Sequence, residues 1–519
     1  MLEHLLTSER DRCARALVAA ATVGLLLAAV ACLLLATPQP VALADAPRQA
    51  LTYTPYLVPP KTPTPKTAAI RKLLKGSSVG AKGGWIVVHL AGTPYQIGFQ
   101  NGYLTAQSAY FFMQIDLGPT GSADRKASEA TAARYVWPKI PAAYRQELQG
   151  ITDGVKAAGY PKVTLWDVVA ANAWADEPAY SQLSGNSVSK AATRSRATKR
   201  RALRKGGCSA FIATGRATAD GRPVMGHNTW SPYDENFMYN VMFYVHPQKG
   251  YRFSYQSAGG QIWSGQDWYV NSAGLMLAET TLADSTYSPK GTPIFVRARA
   301  AAQYDKTVAQ AVATLRTGNN GAYSSEWLVG DSTGQIASLQ LGNKAYDLNT
   351  TRDGFFGSSN FDWGKHTRAE EGSNADPWDA SNEDYARYVR WTQLRKAHSG
   401  QIDFSVGQTM LGDTWDTYLG RTSPDSRTIC GEPEHGSRGV AYSGDTADGA
   451  YDGKVTTEDM VLHGMQVQAR WGHPNGDGFD AARFLAANRS WAADNGTLAV
   501  FGLRTFSAQT PNPWVSTNY

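Results

Sequence analysis

The stretch Lys205-Gly206-Gly207-Cys208-Ser209-Ala210-Phe211-Ile212 marks an abrupt change in the character of the chain. Before it, residues 189–205 carry eight Lys or Arg side chains and no acidic side chain. After it, short apolar runs alternate with Gly, Asp and Asn, which is typical of strands separated by turns. The two glycines give the backbone at this junction unusual freedom. The pattern therefore predicts that a β-rich region begins at Cys208.

Periodicity on both sides of the junction predicts strands interleaved with helices. The predicted strands are 84–91, Ser209–Thr214, Val224–Asn228, Met238–Val245, Tyr251–Tyr255, Trp268–Asn271, Leu275–Thr280, Glu326–Asp331, Ile336–Leu341 and Gly354–Ser358. The predicted helices are Tyr144–Ala158, Leu165–Ala175, Pro293–Gln303, Thr307–Thr314 and Glu383–Ala397. Such a mixture indicates a layered α+β fold.

Composition excludes several classes of protein. The chain has 519 residues, of which 42% are hydrophobic and only 18% charged, so a disordered chain or a coiled coil is excluded. The net charge of +6 comes from the basic stretch, because the chain without that stretch and without residues 1–46 has a net charge of −1. A folded nucleic-acid-binding face is therefore not expected.

The first residues resemble an export signal. Three arginines precede an apolar run over residues 16–36, and small residues follow around Ala44 and Ala46. The run is also long enough to remain as a membrane anchor, and Cys32 allows a lipoprotein site as a third alternative. The predicted organisation is a signal or anchor (1–46), a Pro-rich linker (47–83), a helical part (84–188), a basic linker (189–207) and a catalytic part (208–519).

Outside the signal region the chain has two cysteines, Cys208 and Cys430. They could form one disulfide, or remain two inert buried thiols. Alternatively, Cys208 is a nucleophile, and cleavage between Gly207 and Cys208 would give it an α-amine that serves as its own base. Cys430 lacks a comparable context and is interpreted as an ordinary thiol.

Several short motifs resemble the phospholipase B-like family of N-terminal nucleophile (Ntn) hydrolases. The resemblance is more distant to the acyl-coenzyme A:6-aminopenicillanic acid acyltransferases and to the bile-salt hydrolases and penicillin V acylases. The motifs, in chain order, are residues 92–104 (GTPYQIGFQNGYL), 208–211 (CSAF), 226–230 (GHNTW), 274–281 (GLMLAETT), 325–331 (SEWLVGD), 359–361 (SNF) and 452–456 (DGKVT).

This resemblance implies an αββα sandwich, in which two antiparallel sheets face each other between outer layers of helices. It also implies self-cleavage before Cys208, after which the two resulting chains stay associated. Cys208 would then attack the acyl carbon of an ester or amide.

Four further residues are predicted to serve the reaction at Cys208. Asn228 and Asn360 are candidates for donating hydrogen bonds to the oxyanion. His227 would hold the α-amine or the thiolate. Arg387 resembles the arginine that orients the cysteine in bile-salt hydrolases. Each of the four could instead be an ordinary structural residue.

The predicted substrate-binding residues are one acidic and several aromatic side chains. Glu279 lies in an otherwise apolar strand and would need a partner when buried, so it is a candidate for binding the α-ammonium. Trp230, Trp263, Trp268 and Trp327 are either core residues or the walls of an acyl pocket. No metal site, organic cofactor or nucleic acid is expected.

Three functions remain open at this point. The first is a hydrolase of a lipid-like ester or amide. The second is an amidase or acyltransferase that acts on an N-acyl or peptide-like compound. The third is an exported binding protein with a Cys208–Cys430 disulfide.

Overall fold

The computed structural model describes residues 53–176, 179, 208–282, 287–288, 290–371, 378–432, 434 and 447–519. The predicted signal or anchor and the predicted basic linker lie outside these residues. Residues 53–519 form one unit. Among the described helices, none combines the length and the apolar character needed to cross a lipid bilayer.

The strands are numbered in chain order. They are β1 Ser78–Lys82, β2 Trp85–Gly92, β3 Ser209–Thr214, β4 Val224–Asn228, β5 Trp230–Pro232, β6 Val241–Pro247, β7 Phe253–Ser257, β8 Trp268–Asn271, β9 Met276–Thr281, β10 Ser325–Gly330, β11 Ile336–Leu341, β12 Tyr346–Thr351, β13 Gly354–Ser358, β14 Trp415–Asp416, β15 Arg421–Thr422, β16 Asp448–Ala450, β17 Asp452–Thr457, β18 Val467–Trp471 and β19 Val515–Thr517.

The helices are numbered in the same way. They are α1 Ala68–Leu73, α2 Pro94–Leu104, α3 Ala106–Asp116, α4 Ala123–Thr131, α5 Ala142–Ala157, α6 Leu165–Asn172, α7 Tyr233–Asn236, α8 Ile294–Tyr304, α9 Val308–Arg316, α10 Lys365–Glu371, α11 Glu383–Ala397, α12 Phe404–Leu411, α13 Glu458–Leu462, α14 Ala481–Ala487 and α15 Trp491–Gln509.

Two large sheets dominate the described residues. One has nine strands in the order β1-β2-β6-β7-β8-β9-β10-β11-β12, and the other has six in the order β13-β3-β4-β17-β18-β19. Neighbouring strands in both sheets run antiparallel except β2 and β6, which are parallel. The prediction of purely antiparallel sheets is therefore wrong at this pair. The reason is that β2 precedes the helical N-terminal part and is not joined to β6 by a hairpin.

Alternating side chains of β3 connect the layers. Ile212 faces the nine-stranded sheet, where a Cβ on Gly330 would lie 2.7 Å from its Cδ1 atom. Phe211 points the other way, and its ring centroid lies 5.5 Å from that of Trp391 in α11. Helices α8 and α9 pack on the remaining face of the nine-stranded sheet. The layers are therefore helix, sheet, sheet, helix, and the predicted αββα sandwich is confirmed.

Within the N-terminal part, helices α2 and α5 form a close pair, and this part is joined to the rest where β2 pairs with β6. A Cβ on Gly98 of α2 would lie 1.9 Å from the carbonyl oxygen of Glu147, and one on Gly102 would lie 2.2 Å from that of Ile151. Glycine at both positions is therefore what allows α2 and α5 to touch backbone to backbone.

The described part of the predicted Pro-rich linker is not an extended spacer. It contains α1 and β1, and β1 pairs with β2 along its whole length. Tyr53 and Tyr56 both pack against Phe111 of α3. Aromatic side chains between the prolines bury apolar surface, and this explains why the segment is ordered on the body of the protein.

Candidate active site

Cys208 immediately precedes β3 and is buried between the two large sheets. By alternation its side chain is on the same face as Ala210 and Ile212, toward the nine-stranded sheet. The Sγ atom lies 3.9 Å from the carbonyl oxygen of Trp230. Burial, and secondarily the nearby Asp267 carboxylate, raises the pKa of the Cys208 thiol. In this arrangement the sulfur is therefore a neutral thiol at neutral pH.

His227 lies beside Cys208 because β4 pairs with β3, with Ala210 opposite His227. Its Nε2 atom lies 2.9 Å from the carbonyl oxygen of Glu279 in the facing sheet. A carbonyl only accepts hydrogen bonds, so Nε2 carries the proton and Nδ1 carries a lone pair. Burial, and then the Lys454 cation, lowers the pKa of His227 well below its usual range. The imidazole is therefore neutral, and no described residue is bonded to Nδ1.

Asp267 completes a buried group with these two residues. One donor atom each from Cys208, His227 and Asp267 lies within 4.8 Å of the other two. Asp267 has a left-handed backbone with φ of 61°, just before β8. Its carboxyl is hydrogen-bonded to that of Glu279, and burial raises the pKa of Asp267 to about 7. Thiol, imidazole and carboxyl together can supply a nucleophile and a proton acceptor, or three ligands for a metal ion.

Glu279 does not reach Cys208 directly in the way predicted for a partner of the α-ammonium. Its carboxyl is bonded to Asp267 and accepts a hydrogen bond of 3.3 Å from the Tyr323 hydroxyl. Burial and the Asp267 carboxylate raise the pKa of Glu279 well above its usual range. Ionising two adjacent buried carboxyls together has a high electrostatic free energy. The Asp267–Glu279 pair therefore retains a proton.

Arg387 of α11 holds the main chain at Cys208. Its Nη1 atom donates to the Cys208 carbonyl oxygen at 2.8 Å and to the Ser209 hydroxyl at 3.2 Å. Both Nη atoms lie 3.2 Å from Oδ1 of Asn360, and Nη2 donates to Asp384 at 2.7 Å. The guanidinium is fully buried and lies 5.3 Å from the ring centroid of Trp230. Arg387 and Asn360 are therefore both brought to Cys208.

The two candidate oxyanion donors differ in what their amide nitrogens already bind. Nδ2 of Asn228 donates to the carbonyls of Leu411 and Ile429, at 2.9 and 3.1 Å, so both of its hydrogens are used. These partners also place its side chain toward α12, away from Cys208. Nδ2 of Asn360 donates to the Thr281 carbonyl at 2.7 Å. Because Arg387 fixes Oδ1, the second hydrogen of this amide stays available.

The predicted tryptophans fall into two sets. Trp230 is at the site, between Arg387 and Gly431, whose Cβ would lie 2.7 Å from the indole ring. Trp327 pairs with Glu279 across β10 and β9, on the face opposite Gly330. Because Gly330 faces β3, Trp327 points toward the helical layer, so the structure does not bring it to Cys208.

Trp263 and Trp268 are both fully buried. The ring of Trp263 packs 5.8 Å from that of Trp174, which in turn contacts Tyr323 at 6.2 Å. Through Tyr323 this aromatic group adjoins the Glu279 carboxyl, so Trp263 lies behind the site.

A buried ion pair on β17 supports the site and was not predicted. Lys454 lies opposite His227 in the sheet, and its Nζ atom binds Asp452 Oδ1 and the Thr229 hydroxyl, each at 2.8 Å. Asp452 also accepts hydrogen bonds from the Thr229 amide and from Gln256. The cation is therefore committed to Asp452 while still favouring the charged form of Cys208.

Cys430 lies in a different buried group. Its Sγ atom is 3.1 Å from Glu432 Oε1, and burial raises the pKa of this thiol well above its usual range. The nearby His473 bonds the Ala450 carbonyl through Nδ1 at 2.7 Å and Glu434 through Nε2 at 3.0 Å. Burial alone would lower the pKa of His473, but the Glu434 hydrogen bond and charge outweigh it and raise the pKa to about 9.

Cys208 and Cys430 are both free thiols in the structure. The predicted alternative of a Cys208–Cys430 disulfide is therefore wrong, because each sulfur is enclosed among its own set of polar groups. The binding-protein hypothesis loses the observation on which it depended.

Comparisons with known proteins agree with the motifs. A family model described as phospholipase B matches residues 120–343. A protein of Rattus norvegicus named "Putative phospholipase B-like 2" is 27% identical over 143 residues, which is 24% of each chain. An "Uncharacterized protein" of Archaeoglobus fulgidus is 28% identical over 284 residues, 49% of this chain and 42% of that protein. The matches thus span less than half of either relative.

Solved structures provide a further comparison. Penicillin V acylase from Agrobacterium tumefaciens is 14% identical with a TM-score of 0.30, covering 51% of this chain and 83% of that chain. A mutant of conjugated bile acid hydrolase from Clostridium perfringens is 13% identical with a TM-score of 0.30, covering 51% of this chain and 89% of that chain. The resemblance to the phospholipase B-like family rests on the family model and the rat relative, and it is confirmed.

Proposed function

We propose that this chain is an exported Ntn hydrolase that cleaves ester or amide bonds of a lipid-like substrate through a thioester on Cys208. The observation that carries the proposal is the position of Cys208. Cys208 lies just before β3, and its sulfur lies within 4.8 Å of a donor atom of His227 and of Asp267. Arg387 donates a hydrogen bond to the carbonyl oxygen of Cys208. A structural cysteine needs neither a fixed main-chain carbonyl nor a neighbouring free imidazole lone pair.

Maturation would begin with cleavage between Gly207 and Cys208. The sulfur attacks the Gly207 carbonyl carbon, the C–N bond to Cys208 breaks, and the nitrogen leaves as an amine after taking up a proton. Water then hydrolyses the Gly207 thioester, which yields a carboxylate and restores the thiol. In the uncleaved chain the main-chain nitrogen of Cys208 belongs to a peptide bond. The buried, neutral thiol therefore has no α-amine beside it that could act as a base, as it would after cleavage.

In the cleaved chain the α-amine of Cys208 would take the thiol proton as the sulfur attacks the substrate acyl carbon. The tetrahedral oxyanion would accept a hydrogen bond from the available N–H of Asn360, whose amide Arg387 orients. The amine would return the proton to the leaving oxygen or nitrogen, and would then activate the water that hydrolyses the thioester. Nδ1 of His227 is the acceptor that would hold the ammonium.

Trp230 is the aromatic residue best placed to contact the substrate. Its carbonyl lies against the Cys208 sulfur and its ring lies against Arg387, so an acyl chain bound at Cys208 would pass this ring. An apolar wall suits a hydrocarbon acyl group. The same site could act on an N-acyl or peptide-like compound, in which case an amine rather than water would resolve the thioester.

Intact mass and N-terminal sequencing of the purified protein test the maturation step. We expect two associated chains, one of which begins at Cys208, and a single uncleaved chain for Cys208→Ala. Cys430→Ala is the matched control, because it removes the other buried thiol and should cleave normally. A wild-type chain that remains whole after long incubation at mildly acidic and neutral pH would overturn self-cleavage.

Substrate profiling of the cleaved protein tests the reaction class. Phospholipids and N-acyl amino compounds of matched acyl length would be compared, with and without an added amine acceptor. Faster release of free acid from phospholipid supports the lipid hydrolase. Preferential transfer to the amine would instead assign the chain to the acyltransferase class. The N-terminal sequence of the smaller chain reports whether residues 1–46 have been removed.

A further inference from the structure

Three chemically different donors converge at Cys208, and together they form a set that suits a divalent metal ion. Sulfur, imidazole nitrogen and carboxylate oxygen are the donors that bind zinc in proteins. One such atom each from Cys208, His227 and Asp267 lies within 4.8 Å of the other two, and all three side chains are buried. A small inward movement of these side chains would bring them to zinc-binding distances of about 2.0–2.3 Å from a common centre.

The imidazole already has the tautomer that a metal ligand requires. Nε2 of His227 donates to the Glu279 carbonyl at 2.9 Å, so the lone pair belongs to Nδ1. Within the described part of the chain, Nδ1 has no hydrogen-bond partner although His227 is fully buried. Metal-binding histidines are commonly oriented by this kind of bond from the other ring nitrogen to a carbonyl.

The local charge also favours a cation. Asp267 and Glu279 are two buried carboxyls in contact with each other. Lys454, the buried cation that acts on Asp267, is itself bonded to Asp452 at 2.8 Å. Among the described residues, no cation is bonded to either carboxyl of the Asp267–Glu279 pair, so a metal ion at Asp267 would not have to displace one.

We propose that Cys208, His227 and Asp267 form a zinc site that caps the nucleophile. Zn²⁺ would replace the thiol proton, which is released to solvent as the Zn–S bond forms. Nδ1 of His227 and one carboxylate oxygen of Asp267 provide the second and third bonds, and Glu279 orients Asp267 by hydrogen bonding. The fourth position is left for water, so bound zinc blocks attack by sulfur and inhibits reversibly.

The zinc site itself is a property of the uncleaved chain, whereas the inhibition rests on the proposed hydrolase activity. Cleavage before Cys208 would add its α-amine, which can close a five-membered chelate ring with the sulfur. If the proposed function holds, zinc therefore binds the mature protein more tightly than the precursor.

Titration of the full-length chain with Co²⁺ as a spectroscopic substitute for Zn²⁺ tests the site. We expect one equivalent of Co²⁺ to produce the visible absorption of a four-coordinate ion and a thiolate-to-cobalt charge-transfer band, both of which Zn²⁺ abolishes. Cys208→Ala should lose the charge-transfer band. Asp267→Asn and His227→Gln should each weaken binding by at least about 10-fold, the cost usual even for residues that only support a ligand.

Cys430→Ala is the matched control. Cys430 is also a buried thiol with a carboxylate and a histidine nearby, but both ring nitrogens of His473 are occupied. This variant should therefore bind Co²⁺ like the wild type. Absence of a thiolate band from wild type, or its loss in Cys430→Ala but not in Cys208→Ala, would overturn the proposal.

Alkylation of unmodified wild-type protein provides a readout that needs no variant to fold. After treatment with iodoacetamide and digestion, Zn²⁺ should lower the labelling of the Cys208 peptide by at least about 10-fold and leave that of the Cys430 peptide unchanged. Equal labelling of Cys208 with and without Zn²⁺ would contradict the site. A chain that binds Co²⁺ but hydrolyses nothing would refute the proposed function alone.

Discussion

Cys208 and Cys430, the buried thiols among the described residues, lie in surroundings built from the same residue types with different bonding. Cys208 and Cys430 each have a histidine and carboxyls nearby, and burial raises the pKa of both thiols. His227 is neutral with an unbonded Nδ1, whereas His473 is charged, with Nδ1 hydrogen-bonded to a carbonyl and Nε2 in an ion pair with Glu434. The two thiol sites therefore differ in the bonding of the imidazole, and the proposed reactivity of Cys208 depends on this difference.

Two arginines of α11, one helical turn apart, also differ in how they contact the two thiol sites. Arg387 donates to the Cys208 carbonyl oxygen at 2.8 Å. Arg390 forms a two-pronged pair with Asp413, at 2.8 and 2.7 Å, and the Asp413 carbonyl accepts the Cys430 amide at 2.9 Å. One helix therefore supports both thiols, directly at Cys208 and through an intermediate aspartate at Cys430.

Exchanging each histidine for glutamine should separate the two sites most strongly. His227→Gln should lower the hydrolysis rate constant by about 10²–10⁴, the range usual for general acid–base groups, because the α-amine that moves the proton would lose the acceptor that holds it. His473→Gln should leave hydrolysis by the folded protein nearly unchanged and lower stability instead, since Glu434 loses its buried cation and keeps the hydrogen bond from the Tyr233 hydroxyl. Steady-state kinetics and urea unfolding of both variants measure the two effects. Similar rate losses in both would remove the distinction.

Arginine-to-lysine exchanges should give a smaller contrast. Arg387→Lys loses the planar, rigid fork that holds the Cys208 carbonyl and Asn360 in one geometry, so we expect kcat to fall about 10²-fold with KM little changed. Arg390→Lys loses the two-pronged pair with Asp413 and weakens the contacts with Gln393 and Trp415, none of which touches Cys208, so it should stay within about 3-fold of wild type. Kinetics on a common substrate compare them, and an equal fall in both would show that α11 acts only by stabilising the fold.

The pH dependence of stability should sharpen the description of the Cys430 group. The folded pKa of His473, about 9, lies above its unfolded value of 6.5. Its contribution is therefore fully present below pH 6.5 and is lost as the pH rises toward 9, a loss on the order of 3 kcal/mol. Urea unfolding across this range should show that His473→Gln flattens the alkaline decline. An unchanged slope would mean that His473 is neutral.

Removing the second thiol should have the smallest effect. Cys430→Ala deletes one buried sulfur that donates to Glu432, so a loss of about 1–2 kcal/mol in unfolding free energy is expected. Chain cleavage and hydrolysis should stay within about 2-fold of wild type. Denaturant unfolding and single-turnover assays check both values. A large catalytic loss would show that the Cys430 group supports the reaction through Gly431 and Trp230.

The fold was largely predictable because local patterns agree with it. The predicted bounds of β3, β4, β8, β11, β13 and α11 match the structure residue for residue, since Gly and Asp turns delimit those strands and Asn382 caps the helix. The ordered structure of residues 53–83 was missed, because their five prolines among lysines and threonines indicate a linker. Packing of the half-buried Tyr53 and Tyr56 against Phe111 instead holds the segment on the body of the protein.

The site was predictable only in part. Cys208, His227, Asn360 and Arg387 come together as the motifs suggest, whereas Asn228 and Trp327 lie on the opposite faces of their strands. A motif identifies a residue but not the face on which its side chain lies, since this depends on register. Asp267 was missed because its left-handed backbone, which aims the carboxyl at Cys208, has no sequence signature beyond an acid between a glutamine and a tryptophan.

The strand β2, hydrogen-bonded to β1 on one side and β6 on the other, has a consequence for the lifetime of the protein. Before cleavage this strand is tethered to the rest of the chain, and folding is a first-order process. After cleavage at Gly207, the pairing of β2 with β6 would require the association of two separate chains, and the rate of this bimolecular step falls with dilution. A cleaved molecule that unfolds at low concentration would then recover slowly or never, so its persistence would depend on the unfolding rate alone.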